Sequence, residues 1–340
     1  MRLGSGRLSP EVAVVIPTYN RERFLGIAIA SALRQTFTDF ELIILDDASS
    51  DGTQEVARSF GDRRVSYIRN PINLGMVENW NRGFRVANSR YVAFLHDDDV
   101  WEPAFLERAM RAIEACPDVG LVYSRVRLID QSGKLVAGGS RLALPTQDRV
   151  FSKTESVDRL VRRNEISPSA SVVSRDAFSE CGGFQPEWPF HMDWQLWIKI
   201  AARRRTAFLA ETLAYDRSHP GRLTAQYRAR PLAIGSDRIR MLRETIPALP
   251  LSQSDCHRLL RRALISSAQD QLVAAWDLAM LGQGPRARIE AGFAFQIDRA
   301  VAFRVPLLVI GAYMGSYLPA RLPRFIDRWR AELRPFVRRD

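Results

Sequence analysis

Five runs, Val12–Ile16, Glu41–Leu45, Val65–Ile68, Tyr91–Leu95 and Gly120–Ile129, are dense in β-branched and aliphatic residues and largely lack polar alternation. Such runs mark strands buried on both faces. Between them apolar residues recur at helical spacing, as with Phe24, Ile27, Ala28 and Leu33 within Phe24–Gln35. Thr53–Phe60, Val77–Ala87 and Pro103–Ala115 are further helix candidates, the last with a proline near its first turn. Strands that alternate with helices predict βαβ units, hence an α/β fold with a mostly parallel sheet flanked by helices.

The pattern changes after residue 130. Gln131–Asp148 is rich in Gly, Ser and polar residues and reads as a loop, Trp188–Arg203 as an aromatic-acidic motif leading into an amphipathic helix, and Tyr215–Gln226 as irregular and polar. Beyond about residue 231 the strand pattern stops, and Arg258–Leu281 and parts of 286–300 read as helix. The expected organisation is an α/β domain over 1–230, with halves at about 11–130 and 131–230, and a helical C-terminal region over 231–340. Val305–Ala320 is apolar and uncharged but broken by Pro306, Gly311, Gly315 and Pro319, too short to span a bilayer comfortably. Arg324, Arg328, Arg330, Arg334, Arg338 and Arg339 follow, with Trp329 and Phe336 among them. The stretch 305–340 suits peripheral membrane contact or, equally, a packed helix with a solvated basic face.

Charge adds one constraint. Lys and Arg number 49 against 38 Asp and Glu, a balance of +11, and only Lys134, Lys153 and Lys199 are lysines. Arginine favours bidentate contact with phosphate and carboxylate. A basic chain suits nucleic acid, an anionic membrane or phosphorylated substrates, and charge alone does not choose. Cys116, Cys181 and Cys256 are scattered, so neither a zinc site nor a disulfide framework is expected. No signal peptide is recognisable, and the expected setting is the cytoplasm, with the inner membrane face as an extension of it.

Chemistry gathers where the strands end, the position at which open α/β sheets bind ligands. Pro17-Thr-Tyr-Asn20 closes the first strand, Asp46-Asp47 the second and His96-Asp-Asp-Asp99 the fourth. Turn residues account for the first cluster equally well. Crowded carboxylates repel unless a cation is present, and hard oxygen ligands suit Mg²⁺ or Mn²⁺ held with substrate phosphates. The glycines of Asn73-Leu-Gly75 and Asn81-Arg-Gly83 flank a helix and read mainly as structural.

Taken in order, these blocks resemble the family 2 inverting glycosyltransferases with the GT-A fold. The resemblance runs from Val12-Ala-Val-Val-Ile-Pro-Thr-Tyr-Asn20 through Ser31-Ala-Leu-Arg-Gln-Thr-Phe37, Phe40-Glu-Leu-Ile-Ile-Leu-Asp-Asp47, Asn73-Leu-Gly75 and Phe94-Leu-His-Asp-Asp-Asp99 to Tyr215-Asp-Arg-Ser-His-Pro-Gly221, roughly two-thirds of the chain. It implies a nucleotide site at Pro17, Thr18, Tyr19, Asn20, Asp46, Asp47, Asn81 and Asp97, and a metal-binding acidic region at His96–Asp99. His96 stands where the family usually carries an acid. The ligands therefore fall to the remaining acids, Asp98 first, with Asp99 and His219 beside it. His96 is expected to be a structural substitute, with coordination through a ring nitrogen as the alternative.

A second block, Gly182-Gly-Phe-Gln-Pro-Glu-Trp-Pro-Phe-His-Met-Asp193-Trp-Gln-Leu-Trp197, resembles the segment ending in the family's catalytic base, which places that base at Asp193. Inverting transfer needs a carboxylate, because the attacking hydroxyl must lose its proton as it reacts. A first-turn acid is the structural alternative. Trp188, His191 and Trp194 are candidate sugar or acceptor contacts, Trp194 being equally suited to a core. Arg217 and His219 are candidates for a diphosphate-closing lid. The resemblance implies a nucleotide-diphosphate sugar donor, UDP-linked first, a saccharide or lipid-linked acceptor, a divalent Mn²⁺ or Mg²⁺ cofactor and no specific nucleic acid. A sugar nucleotidyltransferase is the enzyme alternative, weakened by the lack of a Gly-rich phosphate loop after the first strand. A basic nucleic-acid- or membrane-binding protein leaves the acids at successive strand ends unexplained.

Overall fold

The computed structural model describes residues 9–136, 144–222 and 231–301. Among these residues the chain divides into two compact units, with breaks at 160/161, at 163/164 and after Arg222.

The first unit is built on a mixed nine-stranded sheet. Its strands are β1 (Val12–Thr18), β2 (Phe40–Asp46), β3 (Val65–Arg69), β4 (Tyr91–Phe94), β5 (Val100–Trp101), β6 (Val119–Ile129), β7 (Arg149–Phe151), β8 (Ser171–Ser174) and β9 (Arg205–Arg217). The order is β3-β2-β1-β4-β8-β6-β9-β5, and β7 pairs with β9. β1 to β4 are mutually parallel, with Val14 opposite Leu42 on one side and Ala93 on the other. β8 runs antiparallel to both β4 and β6, while β6 and β9 are parallel. Every residue of β1 is buried, as expected for a strand covered on both faces.

The helices α1 (Glu22–Leu33), α2 (Thr53–Arg58), α3 (Met76–Val86), α4 (Phe105–Ala115), α5 (Lys153–Leu160), α6 (Arg175–Glu180) and α7 (Met192–Ala201) flank this sheet or its edges. α4 buries Phe105, Leu106, Ala109, Met110 and Ile113, a stripe at three- and four-residue spacing. α3 buries Trp80, Gly83 and Phe84. At Gly83 a Cβ would meet Val15 Cγ1 at 2.8 Å, so only glycine lets α3 lie this close to β1.

Two expectations change. Tyr215–Gln226 is not wholly irregular: β9 takes Arg205–Arg217, including a stretch that the hydrophobic pattern left unassigned. Register shifts between Ser124 and Val126 of β6 mark bulged pairing with β9, and the bulge interrupts the regular alternation by which a strand is recognised. The loop expected at Gln131–Asp148 contains an isolated bridge, Ile129 to Leu135, and begins as a hairpin.

The second unit is helical, over Pro231–Thr245, Gln253–Met280 and Gly284–Ile297. Ala268, Leu272, Ala275 and Trp276 pack with Ala291, Ala294 and Val301. No helix among the described residues is long and apolar enough to cross a membrane. The expected membrane-contact stretch 305–340 lies outside the described residues.

Candidate active site at the strand ends

The ends of β1 and β2 are locked by side chains. Asn20 (φ 54°) and Ala48 (φ 65°) are the non-glycine residues with positive φ among those described, and such backbone persists where neighbours enforce it. Asn20 donates its N–H to Ser49 Oγ at 2.9 Å, and its Oδ1 accepts the Ser50 N–H at 2.8 Å. Asp46 is buried and accepts from Ser49 Oγ at 2.6 Å and from the Tyr67 hydroxyl. Asp47 is buried too, accepting from Asn70 Nδ2 at 2.6 Å, the Leu74 N–H at 2.8 Å and the Gly75 N–H at 2.9 Å. Both acids of the second strand end are therefore struts that shape loops. Pro17 and Thr18 are buried beneath them, and Tyr19, 47% exposed, is the one open aromatic face here.

Asn81, on α3, is engaged with the main chain of a distant segment. Its Nδ2 donates to the Phe184 carbonyl at 2.8 Å and its Oδ1 accepts the Phe184 N–H at 3.0 Å. This reciprocal pair ties α3 to the segment leading into α7.

At the end of β4, His96, Asp98 and Asp99 each offer a ligand atom, all within 4.8 Å of one another. Asp99 is fully buried, accepting from the Arg217 N–H at 2.8 Å, from Ser169 Oγ at 2.6 Å and lying 3.1 Å from His96 Nδ1. Burial opposes its charge, but the bond and charge of His96, the charge of Arg222 and the Ser169 hydroxyl outweigh burial and hold its carboxyl below the usual range. Burial also opposes charge on His96, yet the contact with Asp99 prevails and pushes the imidazole up to about 9. Burial and the charge of Asp98 push Asp97 up to about 7, against the pull of Arg21, whose Nε lies 3.6 Å away. One nitrogen and two carboxylate oxygens converging in this space fit a divalent cation.

The loop after β9 closes over these acids. His219 Nε2 is 2.8 Å from Asp98 Oδ2, its ring tilted against Phe24. Arg217 is 2% exposed, and its guanidinium donates to the main-chain carbonyls of Asp98 at 2.8 Å and Asp130 at 3.1 Å. Arg217 thus braces the acidic loop through its main chain. Arg222 is the freer cation: it lies 3.3 Å from Asp216 and its field reaches Asp98 and Asp99. Asp216 is pushed up to about 6 by burial and by the charge of Asp99. Arg21 Nη2 donates to the Gly221 carbonyl at 3.2 Å, tying this loop to the end of β1.

Asp193 sits in the first turn of α7, and its Oδ2 accepts from Asn164 Nδ2 at 2.9 Å. Burial raises its pKa, while the Asn164 bond, the Trp194 N–H and the charge of His96 oppose that rise. The short segment Asn164–Ser169 that bonds Asp193 also bonds Asp99, which ties Asp193 to the acidic cluster. Trp188 and Trp194 are each 4% exposed and His191 is 8% exposed; the Trp194 indole donates to the Leu160 carbonyl at 2.6 Å. Both tryptophans are thus largely enclosed, and His191 stands edge-on to Trp194.

Asn164, Ser169, Asp216, Arg222 and Arg21 were not singled out from the sequence. Arg21 directly follows Pro17–Asn20 and Asp216 precedes Arg217, but neither stands in a recognisable spacing. Asn164 and Ser169 fall in a segment whose only signal is the turn at Ser167-Pro168-Ser169.

A family model described as glycosyl transferase family 2 matches residues 13–182, half of the 340-residue chain. The chain belongs to glycosyl transferase family 2. This family 2 chain is 30% identical over 221 residues to an uncharacterized glycosyltransferase of Nostoc sp., an alignment covering 62% of the chain and 65% of the relative. The match thus spans somewhat less than two-thirds of that relative's length. Over 129 residues, 37% of the chain and 51% of the relative, it is 31% identical to an Escherichia coli protein, the UDP-Glc:α-D-GlcNAc-diphosphoundecaprenol β-1,3-glucosyltransferase WfgD. Its fold resembles residues 1–349 of S. aureus TarS, solved in complex with UDP-GlcNAc, at TM-score 0.66 and 16% identity over 94% of this chain and 92% of that one. A likeness at that identity is one of fold. The mixed, largely parallel sheet flanked by helices is the GT-A architecture expected of the family 2 chain.

Proposed function

We propose that the protein is an inverting glycosyltransferase that uses a nucleotide-diphosphate sugar, UDP-linked first, and a divalent metal to glycosylate a saccharide or lipid-linked acceptor in polysaccharide or glycolipid synthesis. The observation that carries this reading is the convergence of His96, Asp98 and Asp99 at the end of β4, with the half-buried carboxylate of Asp193 bonded to the same Asn164–Ser169 segment that bonds Asp99. The UDP-GlcNAc complex of TarS and the UDP-glucose and undecaprenol-diphosphate substrates in WfgD's name support the donor and acceptor classes. Family membership favours glycosyl over nucleotidyl transfer, and a mere basic binding protein has no use for a half-buried, bonded acid at this position.

In the reaction, Asp193 takes the proton of an acceptor hydroxyl as its oxygen bonds to the anomeric carbon. The bond from that carbon to the diphosphate oxygen breaks on the opposite face, and its electron pair leaves with the nucleoside diphosphate, inverting the centre. A cation held by His96, Asp98 and Asp99, with His219 adjacent, would supply the charge that steadies the departing diphosphate. Arg222 adds positive charge beside it, Tyr19 offers its open ring to the base, and Asp47 holds the 70–75 loop in place around the nucleoside.

The test uses the full chain with UDP-glucose, UDP-N-acetylglucosamine, UDP-galactose and GDP-mannose, each with Mn²⁺ or Mg²⁺. UDP with metal should raise the melting temperature, and Asp193→Asn should keep that rise while losing transfer by about 100-fold or more. Near-normal transfer by a folded, UDP-binding Asp193→Asn protein would sink the assignment of the base.

A further inference from the structure

Three carboxylates of the site arrive from separate elements: Asp193 from α7, Asp216 from β9 and Asp99 from the loop after β4. One six-residue segment, Asn164–Ser169, hydrogen-bonds all three. Asn164 Nδ2 donates to Asp193 Oδ2 at 2.9 Å, Ser167 Oγ to Asp216 Oδ1 at 3.1 Å and Ser169 Oγ to Asp99 Oδ2 at 2.6 Å. Ser169 Oγ also accepts the His96 N–H at 3.0 Å.

The segment is itself held in place. Asn164 Oδ1 accepts the Ile166 N–H at 3.3 Å, closing a turn. Glu165 is gripped by Arg159 through two bonds of 2.9 and 2.8 Å and by the Tyr123 hydroxyl at 2.8 Å. Ile166 is buried, and Pro168 opens a short 3-10 turn over Pro168–Ala170. A donor fixed at both ends of its segment is preorganised and needs no rearrangement during the reaction.

Building on the reading of Asp193 as the base, we infer that Asn164 is a positioning residue: by bonding Oδ2 it fixes the plane in which the Asp193 carboxylate meets the acceptor hydroxyl. A carboxylate with one oxygen bonded has a defined plane, whereas an unbonded one rotates about its terminal torsion. Asn164 touches neither donor nor acceptor in this scheme and acts through Asp193 alone. The segment further links the plane of the base to the acidic cluster, so the proton-accepting and diphosphate-side groups share one frame.

The experiment compares wild type, Asn164→Ala, Asn164→Asp and Asp193→Asn in UDP release from UDP-glucose and UDP-N-acetylglucosamine, with water and simple glycosides as acceptors. The melting-temperature rise with UDP and Mn²⁺ is followed in parallel. Asn164→Ala should lower kcat by about 10- to 100-fold through misplacement of the base. KM for the donor and the UDP-induced rise should stay at wild-type values. Asn164→Asp preserves the shape and the acceptor for Ile166 but swaps the donor for a second carboxylate, so it should fall at least as far. If Asn164 were only a packing group, Asn164→Asp would restore activity, and that result overturns the inference. So does wild-type kcat in both Asn164 variants alongside an inactive Asp193→Asn. An active Asp193→Asn instead strikes the base assignment itself, so the two failures are told apart.

Discussion

Asp193 carries two opposed demands. A general base must be ionised to accept a proton, yet burial raises the pKa of this carboxyl against the pull of Asn164 and His96. The folded protein thus holds the Asp193 proton more tightly than the unfolded chain does. Its contribution to stability is present below the unfolded pKa and is lost as pH rises through the folded value. Two outcomes follow from that sign. The acid limb of kcat, measured against pH, should lie above the ordinary aspartate value of about 3.9, because protonated Asp193 cannot act. Asp193→Asn, which removes the ionisation, should melt at or above the wild-type temperature at pH 8, with the difference shrinking as pH falls, as expected of a group kept for function at the expense of stability. A variant that melts lower at pH 8 and recovers in acid would reverse the sign and contradict the burial argument. Single residues were the least legible scale in the sequence. That acids stand at strand ends is visible in Asp46, Asp47 and Asp97–Asp99, but which of them face inward depends on partners far away in the chain, such as Asn70, Leu74 and Arg217.

Elements were more legible where burial is uniform. β1, β2 and β4 announce themselves because both faces are covered, so nearly every position is apolar, and α4 because its buried stripe is regular. β8 escapes because four residues carry too little pattern, and β9 because a bulge breaks its pairing with β6. The contact between α3 and β1 is also invisible in the chain, since a glycine signals permission for closeness without naming the partner. In the fold that partner is Val15. Gly83→Ala would bring a Cβ to 2.8 Å from Val15 Cγ1 and to 3.6 Å from Phe94, with β1 fixed at the sheet centre. α3 must then move outward, at a cost of about 1–3 kcal/mol for overpacking. Urea unfolding should show that loss in the midpoint with little change in slope. Because α3 also carries Asn81, the clamp on Phe184 would loosen and kcat should drop along with stability. Wild-type stability in Gly83→Ala would mean that the helix has slack which the close packing denies.

At the scale of the whole chain, the site groups described above fall within the first unit, between Pro17 and Arg222, and none falls on the helices of 231–301. The acidic cluster sits within a chain of net charge +11, so the field around it is set locally by Arg21, Arg222 and the His96–Asp99 pair more than by the overall balance. Ligand binding should accordingly be felt where those side chains are. A ligand that binds the folded state only stabilises it by RT ln(1 + [L]/Kd), about 2.7 kcal/mol at a hundredfold excess over Kd, and UDP with Mn²⁺ should act in this way. Hydrogen exchange resolves where that stabilisation goes, because amides that open locally report local free energies. Protection should rise at residues 17–22, 46–50, 70–75, 96–99 and 217–222, which are the loops joined by the Asn20–Ser49, Asp47–Leu74, Asp98–His219 and Arg21–Gly221 bonds. It should stay unchanged in Gln253–Met280 and Gly284–Ile297, whose packing rests on Leu272, Trp276 and Ala291. Protection spreading into those two helices would place part of the nucleotide site, or a coupling to it, in the second unit, and the proposed site would then be incomplete as drawn.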